Sequence, residues 1–156
     1  MPCLMGLLGN GGNEMKRTFE EFMADREKIR NDFTLSYSDR QERDGAEFLS
    51  WIDELEVGDH AHVCLWTDVE PVTVIKRTPK TITVRYDKAT LSPDWKPEWV
   101  VGGFAGHCTN QDSQDWIIEE DTNGTTGTFR RRKTGWYDKS DCRLYPGWRK
   151  FYDYNF

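Results

Sequence analysis

The chain has 156 residues, 37% of them hydrophobic and 31% charged, with a net charge of −6. A chain of that length buries roughly 68–70% of its unfolded surface and needs neither disulfide nor metal to fold, so one domain is expected. No apolar run is long enough for a membrane span, the first residues lack the basic region of a signal peptide, and the acidic balance argues against sequence-nonspecific DNA binding.

Residues 1–14 are glycine-rich and unpatterned, and are expected to be disordered. Residues 15–57 predict a helical hairpin. Thr18-Phe-Glu-Glu is a capping box, followed by an apolar stripe of Phe19, Phe22, Met23, Ile29 and Phe33 that predicts a helix ending near Phe33. A second helix is predicted from Ser38, with Gln41 at its third position and Phe48, Leu49, Trp51, Ile52 and Leu55 on its apolar face. Residues 58–156 predict a small β-barrel-like domain. HAHVCLW alternates, with Ala61, Val63 and Leu65 on one side and His60, His62, Cys64 and Trp66 on the other. PVTVIKR and TITVRYD, joined by the TPKT turn, make the next two strands of a meander.

Residues 90–116 predict a long glycine- and tryptophan-rich loop anchored by Trp95 and Trp99. Trp116 to Glu120 and Thr128 to Arg132 are read as strands joined by an Asn-Gly hairpin turn. In that reading Glu119, Glu120 and Asp121 pair with Arg130, Arg131 and Arg132 across the hairpin. The aromatic tail from Arg143 is expected to pack back as a closing strand. The fold class is therefore α+β: two N-terminal amphipathic helices on a small antiparallel sheet or SH3-like barrel of five to six strands.

The words TVIKRTPKTITV, KPEWVVGGFAGHCTNQ and FYDYNF resemble short accessory proteins carried by phages and prophages of Gram-positive gut bacteria, over roughly residues 57–156. The lack of a span or signal peptide leads to the expectation of a cytosolic protein with its four cysteines reduced, and the resemblance makes that the host cytoplasm. The resemblance also implies work on host machinery, counter-defence of the anti-CRISPR kind among it. It carries over no catalytic residue.

Residues 1–59 hold 14 acidic and 7 basic side chains, against 13 and 14 in the remainder. Acid gathered on the helices suits a basic groove of a host nuclease, with electrostatic steering toward it. The expected function is thus a non-enzymatic binding protein that blocks a host protein. Its expected contact residues are Glu20, Glu21, Asp25 and Glu47 on the helices, and Trp95, Trp99, Phe104, His107, Asn110 and Gln111 in the loop. The alternative is a barrel module binding a nucleotide immune signal or nucleic acid through Arg85, Gly102, Gly103 and Arg130, since glycines bare backbone amides to phosphate.

No cofactor and no catalytic residue is expected. A zinc set of His60, His62, His107 and Cys108 has suitable ligand types but no C-x-x-C or H-x-x-x-H spacing. A Cys108 nucleophile would need His60 or His62 as base and Asp112 or Asp115 as orienter.

Overall fold

A computed structural model describes residues 17–102 and 105–155. The segment 1–14 with its expected disorder lies outside these residues, as do Gly103 and Phe104. Helix α1 (Phe19–Arg30) starts at Thr18. The Thr18 hydroxyl accepts the Glu21 amide while the Glu21 carboxylate accepts the Thr18 amide. This reciprocal cap satisfies two orphan donors and contributes about 1 kcal/mol against alanine. The helix stops at Arg30, short of Phe33. Asp32 gives the reason: its carboxylate accepts both the amide and the hydroxyl of Thr34, a local turn that competes with helix. Helix α2 (Tyr37–Ile52) is capped by Ser36 rather than Ser38, the Ser36 hydroxyl accepting the Asp39 amide at 3.2 Å.

The two helices meet through rings and ion pairs. Phe22 stacks on Trp51 with centroids 4.1 Å apart and planes 10° from parallel. Arg26 grips Asp44 through two hydrogen bonds of 2.7 and 2.6 Å, and Arg30 reaches the same carboxylate. The Arg26 bonds hold the Asp44 carboxyl below the ordinary aspartate value. A group depressed in this way adds stability that is fully present above its unfolded value, about pH 4, and is lost as pH falls through the lower folded value. Melting followed by circular dichroism should therefore show helix stability falling below about pH 4. Asp44→Asn should flatten that decline and lower stability by about 1–3 kcal/mol at neutral pH, because Arg26 loses its anion.

Among the described residues ten strands follow: β1 (His60–Cys64), β2 (Val69–Arg77), β3 (Thr81–Tyr86), β4 (Lys88–Leu91), β5 (Trp99–Gly102), β6 (Ala105–Cys108), β7 (Trp116–Glu119), β8 (Thr126–Arg132), β9 (Gly135–Tyr137) and β10 (Arg143–Pro146). Strands β1, β2, β3, β8, β9 and β10 each pair antiparallel with the next, and β10 returns to β1, closing a six-stranded barrel. The expected α+β small barrel is the observed architecture, and the tail does close it, through β10. Its interior is apolar: Ala61, Val63, Val72, Val74, Ile82, Val84, Phe129, Trp136 and Leu144 are buried. Ile52 and Leu55, from the end of α2 and the turn after it, join the same core, each contributing about 1.5–3 kcal/mol by burial. Leu65, expected inside, is exposed, because β1 ends at Cys64 and the alternation ends with it.

Residues 87–125 form an insertion between β3 and β8. Where a long loop is expected, β4 pairs with β7 and β5 pairs with β6, with a single 3₁₀ turn at Gln111–Ser113. The expected Asn-Gly hairpin does not exist. β7 pairs with β4 and β8 pairs with β3, so the turn at 121–125 connects two separate sheets. The expected charge pairing fails for the same reason. Arg131 instead donates two bonds of 2.8 Å to Asp53 at the end of α2, which also accepts the Trp136 indole N–H at 3.1 Å. Arg132 pairs with Asp141, and Glu120 pairs with Arg85 and His60. Asp53 thus ties the helical hairpin to the barrel wall.

Candidate binding surfaces

The C-terminal tail straps the insertion to the barrel. Phe151 bridges Val69. The Tyr152 amide donates to the Gln114 side chain and the Tyr154 amide to that of Gln111. The Asn155 carboxamide accepts the Cys108 amide at 2.7 Å and donates to the Cys108 carbonyl at 3.0 Å. Trp95 is buried beside Tyr154. Asn110 accepts the Glu98 amide and donates to the Lys96 carbonyl. Trp95, Asn110 and Gln111, expected to touch a partner, therefore hold the insertion together. Trp99 and His107 are exposed on the β5–β6 ribbon. Phe104 lies outside the described residues.

A groove of about 750 Å³ runs between the helical hairpin and the barrel. Phe22, Phe48, Trp51 and Tyr145 line it as a set of touching rings. Phe19, which is 58% exposed, and Met23 stand over it from α1. This is the half of the α1 stripe that α2 does not cover. Arg26 lies over the Phe22 and Phe48 rings, its charge taken by Asp44. Trp148 and Arg149 border the groove from the tail, and among the described residues Arg149 makes no hydrogen bond or ion pair. His62 and Cys64 lie on the barrel side. Burial holds the His62 imidazole below its ordinary value, against the opposing bond to the Gly147 carbonyl at 2.7 Å, with Arg149 reinforcing the burial. Burial pushes the Cys64 thiol up, so it stays protonated and is a poor nucleophile. Sequence reasoning missed this groove. The one available signal was an α1 stripe with more large apolar side chains than a single partner helix can bury.

Ion pairs engage part of the acid expected on the helices. Asp25 meets Arg17 and Lys28, Glu47 and Glu54 meet Arg17, Asp44 meets Arg26 and Arg30, and Asp53 meets Arg131. Glu21 is occupied by its cap. Of the four acids expected to touch a partner, Glu20 alone has neither an ion pair nor a cap among the described residues. Four of the five cations in these pairs, Arg17, Arg26, Lys28 and Arg30, already belong to the seven basic residues of the segment, so the pairing redistributes its charge and leaves it net acidic.

The remaining candidate sets do not assemble. His60 stacks on Trp148 at 3.5 Å and meets Glu120, His62 bonds Gly147, and the buried Cys108 thiol donates to Asn110 at 3.4 Å. Among the described residues no three His, Cys, Asp or Glu side chains converge as metal ligands would. No histidine is among the hydrogen-bond partners of Cys108, so the thiol lacks the base a nucleophile needs. Arg85 and Arg130 stand at opposite ends of β3 and its pairing with β8, and Gly102 is on the ribbon of a different sheet, so the expected nucleotide set is scattered. Gly103 lies outside the described residues.

Among the described residues no helix is long and apolar enough to cross a membrane. The fold is a small α+β barrel carrying a helical hairpin and a strapped insertion. No family model, curated protein or solved structure matches the chain.

Proposed function

We propose that the chain is a non-catalytic binding protein that acts by covering a surface of another protein. In the setting implied by the sequence resemblance, that protein is a host factor, with a CRISPR-type defence nuclease the first candidate. The groove carries this reading: Phe19 and Met23 stand exposed over the buried rings of Phe22 and Trp51, beside Arg149, which has no hydrogen bond or ion pair among the described residues. Bulky apolar side chains of a partner, filling a desolvated pocket of this kind, supply most of the energy of a protein interface. A carboxylate beside them would meet Arg149 in a charge-assisted bond. The helical segment stays net acidic, which favours a basic rim on the partner, while apolar anchoring in the groove supplies most of the contact energy.

Affinity capture from a host lysate treated with nuclease tests the reading. The intact chain should retain a discrete protein. Phe19→Asp and Met23→Lys, both at exposed positions, should weaken that capture about tenfold or more, or roughly 1.4 kcal/mol. The groove also has the size and aromatic lining of a small-ligand site. If nucleotides alone raise the melting temperature and no protein is retained, the barrel is a ligand-binding module and the proposal fails.

A further inference from the structure

The β5–β6 ribbon has one edge capped at its root and one edge that is open along its length. The Thr109 amide donates to the Glu98 carbonyl, and the Cys108 backbone turns outward to Asn155. With Trp99 opposite Cys108 and Val100 opposite His107, antiparallel geometry turns the amides and carbonyls of Val100 and Gly102 toward β6. Those of Trp99 and Val101 point away from it. On the β6 side the Asn155 carboxamide accepts one bond and donates one at Cys108, capping that edge at its root, while the outward groups of Gly106 near the tip have no partner among the described residues. On the β5 side the backbone groups of Trp99 and Val101 have no partner among the described residues.

That open edge lacks the usual protections. Trp-Val-Val-Gly carries no charge, no internal proline and no bulge, the features that normally blunt an edge strand. Its side chains are apolar and displayed: Val101 is 97% exposed and Trp99 52%. We infer that the β5 edge docks the β5 edge of a second copy of this chain, joining the two ribbons into a four-stranded antiparallel sheet across a two-fold axis at Val100.

The edge is self-complementary. With Val100 opposite its own copy, Trp99 of one chain faces Val101 of the other, and each such pair exchanges two N–H···O=C bonds. The pairing is isologous and closes as a dimer instead of growing into a filament. Trp99 and Val101 of both copies fall on one face and shield each other. Neither β5 nor β6 has a charged side chain at the seam, so the copies meet without local repulsion. The overall charge of −6 opposes approach, and salt screens that opposition. An interface this small belongs to the weak class below ~1,200 Å², and dissociation in the range of about 10–100 µM is expected. The contact lies on the insertion and does not rest on the groove.

Sedimentation of the intact chain should show monomer giving way to dimer as concentration rises through about 100 µM, more readily in higher salt. Val101→Lys should leave a folded monomer. In the proposed register residue 100 faces itself in a non-hydrogen-bonded pair, with Cα atoms about 4.5 Å apart, inside disulfide range. Val100→Cys should therefore form a covalent dimer with oxidised glutathione at least tenfold faster than Ile117→Cys, an exposed control on β7, or the unmodified chain. A chain that stays monomeric at about 200 µM overturns the inference. So does a dimer that survives Val101→Lys, or cross-linking at residue 100 no faster than at 117.

Discussion

Trp51→Ala should lower the stability of the whole protein by about 3–5 kcal/mol. Trp51 is 4% exposed and is the ring through which the helical hairpin holds together. It stacks on Phe22 and lies 6.0 Å from Phe19 and 6.4 Å from Phe48, centroid to centroid. Removing it takes away the buried surface of an indole and leaves a cavity that opens into the groove. The cavity cannot collapse cheaply, because Ile52 and Leu55 are fixed in the barrel core and Asp53 is held by Arg131 and Trp136. For a domain of this size the loss corresponds to a drop of roughly 6–20 °C in melting temperature. Trp51→Phe keeps a ring against Phe22 and should lose less than half as much. Urea unfolding of the three proteins checks the order. A cost below about 1 kcal/mol for the alanine variant would mean that the hairpin is not seated on this ring.

The same residue shows what the sequence made legible. Helical spacing placed Phe48, Leu49, Trp51, Ile52 and Leu55 on one face of α2, and three of them, Trp51, Ile52 and Leu55, are buried. The Thr18 cap was readable because its chemistry is local, contained within four residues. Ser36 with Asp39 and Ser38 with Gln41 both set a polar residue three positions on, so local chemistry does not distinguish the true cap, Ser36, from the expected Ser38. Alternation found β1 to β3, since each buries one face against the same core.

What stayed hidden depends on pairing between distant segments. Nothing near Arg131 shows that its carboxylate is Asp53, 78 residues earlier. Nothing near Cys108 shows that Asn155 closes its edge. The groove draws Phe19, Trp51, Tyr145 and Arg149 from opposite ends of the chain. For the same reason a count of charges does not show that Arg17 divides itself among Asp25, Glu47 and Glu54.

Gly124→Ala should be among the most damaging single-methyl changes in the chain, at about 2–4 kcal/mol, while its neighbour Asn123→Ala should stay within about 0.5 kcal/mol. An Asn-Gly pair in a two-residue hairpin would need left-handed backbone at both positions. Here neither residue has positive φ. Gly124 is required for a different reason: a Cβ there would sit 2.0 Å from the Tyr86 carbonyl oxygen and 3.1 Å from that of Asp121. Both are backbone atoms and cannot swing aside. The turn is pressed onto the end of β3, where the Tyr86 amide donates to the Thr125 carbonyl at 2.8 Å. Pushing it off also strains Asp87, whose carboxylate accepts the Asp121 amide, the Thr73 hydroxyl and the Trp148 indole. The damage should therefore spread to the root of the insertion and to the tail. Hydrogen exchange should show early loss of protection at Tyr86 and Asp121, with the helical hairpin unaffected. A Gly124→Ala variant that melts with the parent would place the turn away from the Tyr86 carbonyl. An Asn123→Ala variant as damaged as Gly124→Ala would restore the hairpin that local sequence suggested.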